Sequence, residues 1–469
     1  MNPSSSWRRF PRRSPALRAV AIALLAGPPA AWPATTAAQP TRTLTLAAAM
    51  RLADEHAYAN RSAAAGADVA RGTADGAWRG VLPGLSADAS VVRTNDPIGA
   101  FGFLLKQRGV TAASFSPDAL NHPDGVTNYG AAIVLEQPLV NVDAWMGLRA
   151  ARVAATATGT AARWTATSVR ADVVHAYYGA IVAGEMANAL AAAERAALEH
   201  VRVADVAAAN GFTTRSDILL ARVRAGDVAA QRIEADSRAR TARVALALLL
   251  GVPGDTAFTL PSSLPAPEVV VARLPAMPGD RDRDDVRAAR EAATAARLDL
   301  RRAQGALLPR VNGFARYDWN AATRFGAAAP ALTVGAAASW SLFGGGREIA
   351  DARVAAARVR KAESDAEGAA AAAALDRRNA DESFTVALAR AAIADTSVQQ
   401  SAEALRIVRK KYEGGIADVS ELLTAAAAEM QARVMQADAR YRVLAASAAR
   451  LRAWGADPAA LAALDPDLR

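Results

Sequence analysis

Two hydrophobic rhythms alternate along this chain, and the alternation happens twice. From Val311 to Asn320 the period is two: Val311, Gly313, Ala315, Tyr317 and Trp319 fall on one face, and Asn312, Phe314, Arg316, Asp318 and Asn320 on the other. From 332 to about 343 the pattern repeats, with Leu332, Val334, Ala336, Ala338, Trp340 and Leu342 opposed by Thr333, Gly335, Ala337, Ser339 and Ser341. The matching strands of the first half lie at about 85–93 and 127–139, separated by a long loop. Most of the remaining chain is rich in alanine, with apolar and charged residues at helical spacing.

A helix is predicted from Thr45 to about Trp78, where Leu82-Pro83-Gly84 stops it, and another from about Asp285 to Leu307-Leu308-Pro309. Pro83 and Pro309 are counterparts, each opening a strand. Each strand pair is followed by a long helix, from about Asp143 to Asn210 and from Gly346 to Tyr412. The second of these holds no proline and, as a single helix, reaches ~100 Å. A glycine turn follows in each half, at Gly211 and at Gly414-Gly415, and then a return helix, Ser216 to Leu250 and Ser420 to Trp454. Serine suits the cap of each return helix, and the acid beside it, Asp217 or Glu421, complements the helix dipole.

Sliding the chain by 204 positions lays Gly211 on Gly415, Ser216 on Ser420, Asp217 on Glu421, Leu219 on Leu423 and Gly251 on Gly455 without a gap. The chain is therefore expected to be an internal duplication, with repeats at 39–251 and 284–455, a proline-rich linker at 252–283 and a tail at 456–469. Small alanine side chains let facing helices approach closely, which predicts thin coiled-coil walls rather than bulky cores.

Strands of about ten residues with one greasy and one wet face, and aromatics near their ends, suit a β-barrel with lipid outside and water inside. Taken singly, each would also suit an amphipathic sheet on a soluble core. Four strands cannot close a membrane barrel, since the smallest have roughly eight, and an open edge in lipid would leave backbone groups unpaired. A barrel built from them must be shared between chains. The expected fold class is mainly α with membrane β: a duplicated set of long antiparallel helical hairpins forming an α-barrel tunnel, plus four β-strands per chain.

Composition narrows the picture. Aromatic residues make up 5% of the chain, too few for several thick cores. The net charge of +9 falls to +4 once the five arginines of residues 1–38 are set aside, so no nucleic-acid partner is expected. There is no cysteine, which excludes disulfides, thiol chemistry, thiolate metal sites and a lipid-bearing N-terminal cysteine. Residues 1–38 have the layout of a secretory signal: Arg8 to Arg13, an apolar run from Ala19 to Ala26, then Thr36-Ala-Ala38, with cleavage expected after Ala38. The run falls short of the ~20 residues a permanent span needs.

The whole order of elements resembles the TolC-like outer membrane efflux proteins, over nearly all of the chain beyond the signal. Asn95-Asp-Pro-Ile-Gly-Ala-Phe-Gly-Phe-Leu-Leu-Lys-Gln-Arg108, with Asn121-His-Pro-Asp124 and Glu136-Gln-Pro-Leu139, is similar to one subgroup of that family, and Ser341-Leu-Phe-Gly-Gly-Gly-Arg347 resembles its second strand-to-helix junction. The resemblance implies a homotrimer whose strands make a 12-stranded barrel in outer-membrane lipid, continued by a helical tunnel across the periplasm. It also implies docking to an inner-membrane transporter, directly or through a periplasmic adaptor (membrane fusion) protein, and passive conduction of exported compounds.

The same resemblance places a gate at the periplasmic tip. It assigns a polar link to Asp217, preceded by Ser216, with Tyr412 as a hydrogen-bonding partner, and a lumenal acid to Glu421. Ala417 stands where a gating arginine is found in the best-known member, and Thr424 where a second lumenal acid would lie. Asp217 and Glu421 suit a purely local role at helix N-termini equally well.

No enzyme chemistry stands out. His56, His122, His175 and His200 lack metal-ligand spacing, Gly344-Gly-Gly346 lacks the lysine of a phosphate loop, and no cofactor is expected. A trimeric coiled-coil adhesin would share the long helices and a small barrel. It would place its anchor at the C-terminus, however, whereas here strands interrupt both halves.

Overall fold

In this computed structural model the residues described are 43–210, 214–256, 258–277, 283–414 and 416–464. The signal expected at 1–38 and the turn glycines Gly211 and Gly415 lie outside them. Helices α1 (Leu46–His56) and α2 (Tyr58–Gly76) lead into strand β1 (Gly84–Thr94). A loop carrying α3 (Pro97–Lys106) and α4 (Pro117–Asn121) connects to β2 (Val126–Val140). The hairpin α5 (Val142–Ala209) and α6 (Arg215–Leu249) follows. After a short helix α7 (Pro267–Arg273), the second repeat runs α8 (Asp284–Gly305), β3 (Arg310–Ala321), β4 (Ala329–Ser339), α9 (Arg347–Glu413) and α10 (Val419–Ala453).

The duplication shows in the way both return helices end. Gly251 and Gly455 each take φ +72°, and the following N–H reaches back to a carbonyl five residues earlier, Val252 to Ala247 at 3.0 Å and Ala456 to Leu451 at 2.8 Å. This is a left-handed glycine termination used twice. The first predicted helix, by contrast, is broken: Ala57 leaves helical geometry at ψ 129°. The break receives Gly251, whose α-carbon sits so close to the His56 carbonyl that a β-carbon would lie 2.2 Å from its oxygen. Asn60 Nδ2 donates at 3.0 Å to the Ala53 carbonyl, which also accepts from the Ala57 N–H at 3.0 Å, so the side chain braces the break from its far side.

Residues 252–283 and the tail are more than connectors. The main core joins Met50 of α1, Val173 and Tyr177 of α5, Leu246 of α6 and Leu250 just past its end, and Val443, Leu444 and Leu451 of α10, and it also takes in Leu264 and Val270 of the supposed linker and Leu461 and Leu464 of the tail. Tyr177 Oη donates to the Leu44 carbonyl at 2.8 Å within it. Leu264 N–H donates to Glu185 at 2.9 Å, which pins the linker to α5. Prolines marked this stretch as irregular, but its apolar residues are what close the core. Farther along the hairpin the packing thins to a cluster of Ala187, Leu190, Ala235 and Ala239, as small side chains at a close helical contact dictate.

The four strands form one antiparallel sheet in the order β1-β2-β3-β4. The last strand, expected to reach 343, begins earlier, at Ala329, and ends at Ser339. There Trp340 Nε1 donates to the Leu307 carbonyl at 3.0 Å, and the left-handed Gly345 and Gly346 turn the chain into α9. Pro83 and Pro309 each stand immediately before a strand.

Candidate functional site

Residues opposite one another in an antiparallel ladder share a face, so the register defines two surfaces. One crosses the sheet as Leu85, Leu135, Ala315 and Val334, then as Ala87, Ile133, Tyr317 and Leu332, then as Ala89, Ala131 and Trp319. Nearly every position on it is apolar, and its large residues stand exposed, Leu85 at 72% and Val334 at 70%. Tyr317 and Trp319 meet edge to face at 4.6 Å towards one end, and Trp340 and Phe343 are exposed beyond the other. An 11-residue strand tilted ~40° climbs about 28 Å, which matches the ~25 Å apolar band and flanking aromatic girdles of outer-membrane barrels.

The opposite surface carries Ser86, Asp88, Ser90, Asn128, Glu136, Asn312, Arg316, Asp318, Asn320 and Thr333. Asn128 Nδ2 donates to Asn320 Oδ1 at 2.8 Å, and Arg316 pairs with Asp318 at 2.8 Å. Phe314 departs from the pattern by lying over Gly335, where a β-carbon would come 2.8 Å from its ring. Strands β1 and β4 are the two edges of the sheet, so the protomer presents an open arc. Among the described residues no helix is long and apolar enough to cross a membrane.

The hairpin tips lie at the far ends of the long helices. The return helices are not capped by Ser216 and Ser420, as expected from residue type, but two residues earlier, by Thr214 and Asp418. Thr214 Oγ1 accepts from Asp217 N–H at 3.3 Å, while the Asp217 carboxylate accepts from Thr214 N–H at 3.0 Å and from its hydroxyl at 2.7 Å, a reciprocal capping box. In the second repeat Asp418 accepts from Glu421 N–H at 2.8 Å. The Thr-x-x-Asp and Asp-x-x-Glu spacings were legible, and the offset of 204 superposes them.

The structure thus brings Thr214, Ser216 and Asp217 together, with the Thr214 and Ser216 hydroxyls 2.6 Å apart. Tyr412 is half-buried in the last turn of α9, and among the described residues of the protomer it makes no hydrogen bond to Asp217, whose carboxylate is engaged by the cap. The Glu421 side chain is exposed. Gly414 ends α9 at φ −85°, ordinary right-handed geometry, and the Ile416 and Ala417 N–H groups fold back onto the Lys411 carbonyl. Thr424 donates to the Ser420 carbonyl of its own helix at 2.8 Å.

Just inside the tips, His200 of α5 lines a small cavity with Arg224, Val228, Leu423 and Met430. Burial pushes its imidazole pKa down, and the nearby Arg409 charge lowers it further, so it packs as a neutral ring. Among the described residues no cluster of three or more histidines or acids is placed to hold a metal ion.

Removing the first cap should loosen one tip without disturbing the body. Thr214→Ala is expected to cost about 1 kcal/mol, read as faster amide hydrogen exchange confined to the first turn of α6. Unchanged exchange there would show that the capping box does not hold the tip.

The outer membrane efflux protein family matches the chain at residues 51–252 and again at 281–456, one match per repeat. No curated protein matches it. Among solved structures, VceC of Vibrio cholerae is similar at 23% identity and a TM-score of 0.72, over 88% of this chain and 96% of that one. The Campylobacter jejuni CmeC outer membrane channel is similar at 17% identity and 0.72, over 87% and 85%. The Neisseria gonorrhoeae MtrE outer membrane channel is similar at 19% identity and 0.71, over 88% and 89%. At these identities the structures share a fold, that of long helical hairpins with a β-barrel segment. With both repeats matched and the apolar-out sheet in place, the chain belongs to the outer membrane efflux protein family.

Proposed function

We propose that this protein is the outer-membrane duct of a tripartite export assembly. Three copies join their four-stranded arcs edge to edge into a 12-stranded barrel, and their helical hairpins form the tunnel through the periplasm. Export is passive in the duct, with energy supplied by an inner-membrane transporter engaged directly or through a periplasmic adaptor. The observation that carries this reading is the sheet itself: it has an apolar exposed face, a polar face and two edge strands, and lipid tolerates it only once β1 of one protomer pairs with β4 of the next. The similar MtrE structure is described as the open state of an outer membrane channel, which supports conduction through this fold.

At the tip, we assign Ser216, Asp217 and Tyr412 to the contacts between neighbouring hairpins, with the Asp217 carboxylate keeping its cap bonds to Thr214. Glu421, exposed beside the α10 cap, supplies an acidic ring of three in the trimer. A ring of carboxylates in a narrow pore favours cations, so Glu421→Gln is expected to lower the cation-over-anion permeability ratio of the reconstituted protein several-fold. An unchanged ratio would remove Glu421 from the conduction path. Recovery of the detergent-extracted protein as a monomer without conductance would overturn the duct.

A further inference from the structure

The loop between β1 and β2 lies at the end of the sheet farthest from the helical tunnel, because β1 leaves the tunnel side at Gly84 and β2 returns there at Val140. It contains a well-specified helix. Asp96 caps α3 by accepting from Gly99 N–H at 2.7 Å, Pro97 fits its first turn, and Arg108 at φ +56° ends it, with Gly109 N–H returning to the Leu104 carbonyl at 2.8 Å. This helix folds back over the sheet. Gln107 Nε2, just past its last turn, donates to the Thr127 carbonyl and to Asn128 Oδ1, both at 2.9 Å, and Arg108 reaches the Pro330 carbonyl at 3.3 Å.

The face it covers is the polar one. Asn128, Ala132, Asn320 and Ala329 share that face and are all buried, whereas on the apolar face Ile133, Leu332 and Val334 stay exposed. Ala100, fully buried, and Gln107 lie on one side of α3. Ile98 and Leu105, seven residues apart and hence on the other side, are exposed at 85% and 54%, and Phe101 on the same side stacks edge to face on exposed Phe115 at 5.7 Å. An apolar stripe thus points away from the wall, into the space that the polar face lines.

We propose that in the assembled barrel the three α3 helices meet on the threefold axis through Ile98, Leu105 and Phe101 and close the outer mouth with a hydrophobic plug. This rests on the shared-barrel reading above, and geometry decides it. Twelve strands ~4.8 Å apart and tilted ~40° close a ring with a backbone radius of about 12 Å. A helix with its side chains is ~10–12 Å across, so one laid against each third of the wall fills that radius and brings the apolar stripes into contact. The occupant of each stripe is the corresponding stripe of the other two copies. Apolar constrictions of this kind close pores by dewetting, and the Gln107 hydrogen bonds to Asn128 hold each third in place.

The chain has no cysteine, so introduced thiols report cleanly. Ile98→Cys should crosslink protomers under mild oxidation, giving a dimer band on non-reducing gels of the isolated trimer. Ser86→Cys, on the polar face near the tunnel end of β1, should react slowly with a bulky membrane-impermeant maleimide added to intact cells, and at least several-fold faster when combined with Ile98→Asp, which sets three carboxylates against one another. The crosslinking arm needs no disruptive substitution, so it reads whether or not the aspartate variant assembles. A trimer in which Ile98→Cys fails to crosslink, or in which Ser86→Cys labels equally fast with and without Ile98→Asp, overturns the plug while leaving the duct standing. A protein recovered only as monomer overturns both.

Discussion

Replacing Arg283 by alanine is expected to destabilise the helical body by at most about 3 kcal/mol, the low end of the cost of breaking a buried ion pair, because the carboxylates left behind, Asp285 and Asp376, are 25% and 36% exposed. The Arg283 side chain is only 5% exposed. It donates to Asp285 at 2.6 and 3.0 Å and to Asp376 at 2.7 Å, lies within 3.4 Å of the Ala453 carbonyl, and stacks over Trp164 at 4.5 Å. One guanidinium therefore ties the start of α8 to α9, to the end of α10 and to α5 of the other repeat. Without it Asp376 keeps a weaker partner in Arg452 at 3.6 Å, which is why the loss falls at the low end, while Asp285 loses both of its bonds to the guanidinium. Lysine cannot reproduce the fork, so Arg283→Lys should recover only part of the loss. Arg406, whose pair with Glu403 is exposed on α9, supplies the contrast: Arg406→Ala should leave the unfolding midpoint essentially unchanged. Urea unfolding of the detergent-solubilised protein, followed by helical circular dichroism, separates the two, and equal shifts would show that the buried cluster contributes no more than a surface pair.

Arg283 also shows where sequence reading reached its limit. The strands, their faces and the glycine terminations were legible because each depends on local spacing: period two in Val311 to Asn320, and an identical offset between Gly251 and Gly455. Residue type points to the serines, two positions past the true caps, whereas the geometry needs an acceptor three positions before the acid, which Thr214 and Asp418 satisfy. Prolines made 252–283 look like a tether, and nothing local reveals that Leu264 and Val270 complete a core or that Arg283 anchors one. Likewise, the stretch around Pro97 reads only as part of a long loop, and the placement of its helix over the polar face depends on Gln107 bonding Asn128, which in turn bonds Asn320, far away along the chain. At the tip, Asp217 and Glu421 occupy matching positions of the two repeats, yet the fold uses them differently: one carboxylate is engaged in a cap and the other remains exposed.

Among the described glycines, Gly251→Ala is expected to be the most damaging alanine substitution, and Gly455→Ala explains how much of that damage is strain. Both glycines hold φ +72°, a conformation that costs an L-residue roughly 1–2 kcal/mol. At Gly455 the added carbon finds room, its nearest neighbour being Arg283 Cγ at 3.5 Å, so strain alone applies and the loss should be about 1 kcal/mol. At Gly251 the same carbon would lie 2.2 Å from the His56 oxygen, 2.5 Å from its carbonyl carbon and 3.1 Å from Ala57 N, all backbone atoms that cannot rotate away. The break between α1 and α2 must then open, drawing Leu46, Met50 and Ala53 away from Leu246 and Leu250 in the main core. Overpacking of this kind adds about 1–3 kcal/mol to the strain, so the Gly251 variant should lose roughly 2–4 kcal/mol and assemble poorly while the Gly455 variant assembles normally. The urea midpoints of the two proteins measure the difference directly. Equal losses would mean that the α1–α2 break yields freely, and that Ala57 leaves the helix for a reason other than the seating of Gly251.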